Sequence, residues 1–256
     1  MLSKNQLKLV NSLRLSKYRL EHGLFIVEGV KLVEEALKSS FDIYQIFATA
    51  EWIGFGHLSK KKSLVDLVEI TQAELEKISA LNTANQVLAL VKLPAELPVP
   101  AATGEWTLLL DQIRDPGNLG TIIRTADWFG IDRIIAAENS VELWNPKVVQ
   151  ASMGSVFRMP VHYTDIENYL SVNAKHVQIY GTLLEGEDIS KVKLGKEGIV
   201  VIGNESHGIS ETVKTLITHR ITIPAATAGS SGRAESLNAS IAGAVICYEI
   251  RRQCPK

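Results

Sequence analysis

From Trp106 onward, apolar runs at Trp106–Leu110, Arg133–Ala137, Val177–Leu183, Gly198–Ile202 and Arg220–Ile223 are separated by segments with helical spacing. Strands of this kind, apolar throughout rather than alternating, are buried on both faces. Interleaved with helices, they predict a parallel sheet covered on each side. Ligands of such sheets collect at the carboxyl ends of the strands, which points to the loops after Leu110, Ile202 and Ile223. Earlier in the chain, Leu24–Val27, Ile43–Ala48, Leu64–Ile70 and Gln86–Val91 read as short strands, with helices over Gly29–Ser39 and Gln72–Ser79. These make a small α/β module of roughly one hundred residues. Ahead of it, Leu2, Leu9, Val10, Leu13 and Leu20 predict an N-terminal helix. Lys4, Lys8, Arg14, Lys17 and Arg19 lie at its margins and give the first twenty residues five positive charges and no negative one.

Three of the eight prolines fall between Pro94 and Pro100, a concentration that favours extended backbone. We therefore expect a first domain over residues 1–94, a linker over 95–104 and a second domain over 105–256, the alternative being one long surface loop within a single domain. The charge balance of 27 Lys plus Arg against 28 Asp plus Glu excludes a protein that coats nucleic acid by charge alone, though a local basic patch is compatible with it. No stretch has the length of a membrane span and the first residues lack the apolar core of a signal peptide, so a soluble, cytoplasmic protein is expected. Cys247 and Cys254 form no CxxC pair, and with six histidines in the chain neither a disulfide framework nor a metal site is indicated.

Candidate chemistry sits in three loops. In the first, Pro116-Gly117 turns the chain into a helix that Asn118 can cap. Leu119, Ile122, Ile123, Ala126 and Phe129 form its apolar stripe, and Gly130 ends it. The opposite face carries Gly120, Arg124 and Trp128, and an arginine beside an outward tryptophan marks an interface or an RNA contact more often than a solvated face. In the second loop, strand Gly198–Ile202 runs into Gly203-Asn204-Glu205-Ser206-His207-Gly208, where two glycines free backbone amides to face a ligand. A serine-hydrolase elbow would need glycine two residues before Ser206, where Asn204 stands, and His207 reads as a loop histidine. The third loop runs from Ile223-Pro224 through the small residues Ala225–Ala234 to Glu235-Ser236-Leu237-Asn238. Leu237, Ile241, Ala244, Val245 and Tyr248 then give a helical stripe, and the small residues Ala239, Ser240, Ala242, Gly243 and Ala244 read as close packing. Neither a P-loop nor a GxGxxG fingerprint follows any strand, which argues against nucleotide triphosphates and nicotinamide cofactors.

Asn118-x-Gly120-x-x-x-Arg124-x-Ala126-x-x-Phe129-Gly130, Gly203-x-Glu205-x-x-Gly208, and Ile223-Pro224 with Glu235-Ser236-Leu237-Asn238 resemble, in order, the three motifs of the SpoU/TrmH family of SPOUT methyltransferases. Ser12-Leu13, Arg19 and Phe25-Ile26-Val27-Glu28-Gly29 are similar to that family's substrate-binding domain. The resemblance implies an α/β methyltransferase domain with a parallel sheet and a deep trefoil knot, preceded by a ribosomal-protein-like α/β RNA-binding domain. It implies a homodimer, S-adenosylmethionine as cofactor, and the ribose 2′-hydroxyl of a structured RNA as methyl acceptor. Carried over residue by residue, the catalytic set is Arg124, Asn118, Glu205, Ser236 and Asn238, and the cofactor set is Gly203, Asn204, Glu205, Gly208, Ile223, Leu237 and Asn238. The chain departs from the pattern in the extra small residues of Ala225–Ala234 and in having Ala225 after the proline.

Arginine, with a pKa above about 12, donates and does not abstract protons. Arg124 is therefore expected to hold an RNA phosphate and to stabilise a developing alkoxide. The first domain favours ribosomal over transfer RNA. A transfer-RNA enzyme and a catalytically silent RNA-binding factor of the same fold are the competing readings.

Overall fold

The backbone gathers into two units, Met1–Glu96 with Glu142–Arg158, and Leu97–Val141 with Met159–Lys256. The break expected near residue 94 is thus one of three places where the chain passes from one unit to the other. The computed structural model describes residues 1–56, 65–95, 98–226 and 235–255. The first residue of the run Leu64–Ile70, two residues of the linker and 227–234 of the small-residue stretch lie outside them.

The first unit is built on a four-stranded sheet of β1 (Leu24–Glu28), β2 (Ile43–Ala48), β3 (Asp66–Glu69) and β4 (Val87–Lys92), in the order β1-β4-β2-β3. β4 runs antiparallel to both neighbours and β3 parallel to β2. The single N-terminal helix expected from the apolar spacing is two helices, α1 (Lys4–Ser12) and α2 (Ser16–His22). One helix could not have served: Val10 and Leu13 are fully buried, while Leu20, a member of the same stripe, is 69% exposed. Ser12 Oγ donates to the Leu9 carbonyl at 2.7 Å, drawing on an acceptor that ends the first helix. α3 (Val30–Lys38), α4 (Ala50–Gly54) and α5 (Gln72–Ile78) are the further helices among the described residues of this part of the unit.

Two residues singled out in the sequence prove to be scaffolding. Arg19 is 2% exposed. Its Nη1 donates to the Leu13 carbonyl at 2.8 Å, its Nε to Glu142 Oε1 at 3.1 Å, and its Nη2 pairs with Glu142 Oε2. It is thereby withdrawn from the positive charges of the first twenty residues that face solvent, whereas Arg14, which donates to the Ser79 carbonyl at 2.8 Å, stays exposed. Glu28 is also buried, with Oε2 accepting from the Ala80 amide at 3.0 Å and Oε1 from Ser79 Oγ, tying the end of β1 to the loop after α5.

Glu142 belongs to the later segment of this unit, which carries α7 (Pro146–Ser152) and a single 3-10 turn over Ser155–Phe157. Trp144 stacks obliquely on Phe25, with ring centroids 4.4 Å apart, and meets Phe41 at 5.7 Å. Phe157 meets Phe41 edge-on at 5.3 Å, and Arg158 donates to Glu35 at 2.5 Å. Aromatic rings of this size bury large apolar areas. The fold of the first unit therefore depends on residues far along the chain.

The second unit contains β5 (Trp106–Leu110), β6 (Arg133–Ala137), β7 (Val161–Thr164), β8 (Ile179–Asp188), β9 (Gly198–Ile202) and β10 (His219–Thr222), in the order β10-β8-β9-β5-β6-β7. Every neighbouring pair is parallel, as the uniformly apolar runs require. β7 has no counterpart in the hydrophobic pattern because it is a half-exposed edge strand of mixed residues. Leu109, Ile135, Ile179, Ile199 and Val201 form the centre of the core, closed by Tyr169 and Leu170 of α8 (Ile166–Asn173). α6 (Pro116–Phe129) follows β5, α9 (Glu211–Lys214) precedes β10, and α10 (Ala239–Gln253) ends the unit. Among the described residues, no helix is long and apolar enough to cross a membrane.

Removing one partner of a buried ion pair strands the other's charge, at a cost of about 3–5 kcal/mol. Because Glu142 retains partial exposure, Arg19→Ala should cost about 3 kcal/mol, read by urea denaturation. Lys17→Ala, at an exposed position nearby, should stay within about 0.5 kcal/mol. Equal stabilities for the two variants would show that Arg19 does not hold the unit together.

Candidate active site

The loop after β5 turns at Gln112, whose φ of 58° is unusual for a residue with a side chain. Asp111 beside it is 1% exposed and accepts from the Ser210 amide at 2.7 Å, joining this loop to the one that follows β9. The cap of α6 is Asp115 rather than Asn118: its Oδ1 accepts from the Asn118 amide at 2.8 Å, and Pro116 occupies the first helical turn, where its missing N–H costs nothing. With the cap supplied by another residue, the Asn118 side chain is free to reach outward from the first turn.

It reaches the other two motifs. Asn118 Nδ2 donates to Glu205 Oε1 at 2.5 Å, and Asn118 Oδ1 accepts from Asn238 Nδ2 at 2.9 Å. Asn238 is itself the N-cap of α10. Its Oδ1 accepts from the Ser240 amide at 2.9 Å, Ser240 Oγ at 2.6 Å and the Ile241 amide at 3.4 Å. The result is a directed run of donors that begins at the amides of a helix N-terminus and ends on a carboxylate. Every amide in it has its orientation settled, because Asn238 must present oxygen to α10 and nitrogen to Asn118.

The loop bearing Glu205 is held as firmly. Asn204 and Gly208 exchange backbone hydrogen bonds at 2.9 Å in both directions, and Asn204 Oδ1 accepts from the Ser206 and His207 amides at 2.8 and 3.3 Å. Asn204 Nδ2 donates to the Gln112 carbonyl at 2.8 Å. Its side chain is thus committed to the protein, and what it can offer a ligand is backbone. A Cβ on Gly203 would come within 2.3 Å of the Gly208 carbonyl carbon, so only glycine allows the loop to fold back on itself. Gly208 has a φ of 68°, and nothing lies within 4 Å of where its Cβ would be, so its backbone faces open space.

The remaining predicted residues lie around this junction without joining it. Arg124 is exposed on α6, six residues beyond Asn118, and makes no hydrogen bond or ion pair among the described residues. Ser236 is exposed, Ile223 half-buried and Leu237 49% exposed. Gly120, expected on the outer face with Arg124 and Trp128, is buried. Trp128 is 83% exposed. Asp111, Asp115 and Gln112 are contributors that sequence reasoning passed over. The Asp-x-x-Asn spacing of a cap was a usable signal for Asp115; the roles of the other two depend on contacts across loops.

Other chemistry is less well served. An open cavity of about 290 Å³ lies at the carboxyl ends of β5, β6 and β7, lined by Asp111, Glu138, Asp165 and Glu167 among others, but Asn118, Glu205 and Asn238 are not part of it. Burial pushes the Cys247 thiol up to about 12, which leaves it protonated and unsuited to act as a nucleophile at neutral pH. No group of three or more His, Cys, Asp or Glu residues is arranged to hold a metal ion among the described residues.

Comparison with known proteins gives this geometry a context. The SpoU rRNA Methylase family matches residues 105–248, and the MRM3-like substrate binding domain matches residues 4–89. The chain is 30% identical over 252 residues to the Bacillus subtilis 23S rRNA (guanosine(2553)-2′-O)-methyltransferase RlmP, covering 97% of each chain. Among solved structures, a TrmH-family protein from Porphyromonas gingivalis superposes with a TM-score of 0.85 at 37% identity, covering 99% of both chains. An AdoMet-bound rRNA methyltransferase from Sinorhizobium meliloti superposes with a TM-score of 0.85 at 28% identity, covering 100% of this chain and 97% of that one. With the three motifs joined by hydrogen bonds and a family match over more than half its length, the chain belongs to the SpoU rRNA methylase family.

Proposed function

We propose that the protein transfers a methyl group from S-adenosylmethionine to a ribose 2′-hydroxyl in structured ribosomal RNA. The observation that carries this reading is the hydrogen-bonded run Asn238–Asn118–Glu205, with Arg124, whose side chain has no partner among the described residues, exposed on the same helix as Asn118. Relatives that match the chain from end to end and are named for ribosomal RNA favour that substrate, as does the match of residues 4–89 to a substrate-binding domain. A cytoplasmic location goes with this substrate.

The residues present suit the cofactor. Leu184 in β8, Ile223 just beyond β10 and Leu237 ahead of α10 leave apolar surface open, a surface fit for a flat heterocycle. Thr222 Oγ1 donates to the Leu184 carbonyl at 3.2 Å, which ties the end of β10 to β8. Backbone groups of Gly203, Asn204 and Gly208 would hold polar edges, with Glu205 and Asn238 beside them. The trefoil knot implied by the family belongs to this reading. S-adenosylmethionine, when bound, supplies a methyl group on a sulfonium with a neutral thioether as leaving group.

The protein's part is then to bring an oxygen in line and to ease the loss of its proton. Arg124 donates to a phosphate of the RNA and to the ribose oxygen as negative charge develops on it, the kind of stabilisation that is strongest where water is excluded. The phosphate so held takes the hydroxyl proton. Glu205, through the oxygen that Asn118 does not occupy, accepts from a hydroxyl or an ammonium group, and Ser236 orients the ribose from the loop before Asn238.

Water is excluded by a second copy of the chain. Trp128 is 83% exposed, Tyr248 56%, Ile241 52% and Leu237 49%, all on α6, α10 or the residue ahead of α10's cap. Phe129 and Tyr248 meet edge-on at 6.2 Å, which makes the two helices one surface. Large apolar side chains left exposed on two neighbouring helices favour an interface, and the homodimer is its simplest occupant.

The direct test is methyl incorporation from labelled S-adenosylmethionine into ribosomal and transfer RNA fractions, with the modified position mapped as 2′-O-methyl. Incorporation into transfer RNA alone, or none despite cofactor binding, would overturn the assignment in favour of the two competing readings respectively. Arg124→Ala should lower kcat about a thousandfold while leaving S-adenosylmethionine affinity, read by calorimetry, nearly unchanged. Arg124→Lys should recover little, because an ammonium cannot reproduce the planar fork of guanidinium. Covering Trp128 is worth roughly 1.5–3 kcal/mol, so Trp128→Glu should yield monomers in sedimentation and lose activity with the dimer. A Trp128→Glu variant that stays dimeric would show that this face is not the interface.

A further inference from the structure

The two helices that carry the candidate site are tied together at both ends. At their starts Asn238 Nδ2 donates to Asn118 Oδ1 at 2.9 Å. At their ends the Arg251 guanidinium donates from Nε to the Phe129 carbonyl, from Nη2 to the Gly130 carbonyl and from Nη1 to the Cys254 carbonyl, each at 2.8 Å. α6 and α10 therefore run parallel. Asn118 to Phe129 spans about 17 Å of helix and Asn238 to Arg251 about 20 Å, so the two ties bracket segments of nearly equal length.

The second tie is the stiffer one. A planar guanidinium with three bonds in three directions fixes rotation as well as distance, which a single amide bond cannot do. The carbonyls it takes are those a helix end leaves without partners, and Gly130, in left-handed conformation with φ 62°, has turned its carbonyl out of the helix. The positive charge also sits where the α6 dipole is negative. Arg124 lies five residues before Phe129, about 7.5 Å along the axis, and has no bond of its own among the described residues. The direction in which it leaves the helix is set by the rotation of these last turns.

We propose that Arg251 is a positioning residue for the methyl transfer, acting by holding the C-terminal turns of α6 so that Arg124 meets the RNA in one orientation. The inference rests on the reading of Arg124 given above. It goes beyond the three motifs, since Arg251 belongs to none of them and touches neither of the loops that would hold the cofactor.

The test uses the full-length chain with Arg251→Met and Arg251→Lys, each also made in an Arg124→Lys background. Arg251→Met should lower kcat about tenfold at saturating RNA, with S-adenosylmethionine affinity within about twofold of wild type, since misplacing a group by a fraction of an ångström acts on the reaction step. Arg251→Lys, able to reach one or two of the carbonyls, should recover part of the loss, and it carries the test should Arg251→Met fold poorly. In the Arg124→Lys background the further loss should shrink to about twofold, because the group being positioned is already gone. Unchanged kcat in Arg251→Met, or an equal loss in both backgrounds, would overturn the proposal. So would a loss of cofactor affinity parallel to that of kcat, the mark of a general loosening of the fold. Wild-type turnover in Arg124→Lys alone would bring down the reading of Arg124 and the proposal with it, whereas a crippled Arg124→Lys beside a fully active Arg251→Met brings down the proposal only.

Discussion

The site depends on Asn118 having both ends of its amide occupied. Asn118 joins the first turn of α6 to the loop after β9 through Glu205 and to the start of α10 through Asn238, so that one side chain links all three segments. A hydrogen bond to a charged group is worth about 1.5–3 kcal/mol, and a neutral one nearer 1. The larger quantity is what their loss would leave behind, a carboxylate and an amide facing each other's vacancy. The rest of the second unit can be understood as the means of bringing those three ends within bonding distance. β5 and β9 are adjacent and parallel, so the loops after them emerge side by side. Asp111 bonds across to Ser210, and Asn204 back to the Gln112 carbonyl, so that the loops are laced together before Asn118 and Glu205 meet.

Much of this unit was legible in the pattern of apolar runs, because a strand buried on both faces announces itself without any partner. Four of its six strands stand close to where the runs put them; β8 extends five residues further, and β7, short and half-exposed, left no such trace. The convergence of Asn118, Glu205 and Asn238 was legible only as a resemblance. Nothing in spacing says that residues 87 and 120 positions away will share hydrogen bonds with Asn118. Misreadings arose where a residue's chemistry suits two roles. Arg19 is as good a buried ion-pair partner as it is an RNA contact, and only Glu142, more than a hundred residues away, decides between them. Asn118 is a good cap, but Asp115 stands three residues earlier and is a better one.

The same ambiguity governs the first unit. A run of basic residues in the opening helices suggests a patch that grips RNA, and the structure divides it. Arg19 is buried on a carbonyl and a carboxylate, and Arg14 donates to a carbonyl from the surface, whereas Lys4, Lys8 and Lys17 remain exposed. Lysine, a strongly hydrated point charge, suits sequence-independent contact with phosphates; arginine, with its planar fork, suits the fixed geometry of a buried pair. The division of labour between the two cations follows from their chemistry and not from their position in the chain.

α10 shows why the site and the apolar face come together. Leu237, Ile241 and Tyr248 of the helical stripe are turned outward, and the helix buries Ala239, Ser240, Gly243, Ile246, Cys247 and Ile250 instead. The small residues are what allow the helix to come close: a Cβ on Gly243 would already stand 3.2 Å from Ile202 and 3.7 Å from Ile122. A bulkier inner face would hold α10 away from α6 and β9, and Asn238 could then not reach Asn118. The large side chains Ile241 and Tyr248 are thereby left on the outside. One pattern of small and large residues thus joins the three motifs and leaves an apolar surface beside them.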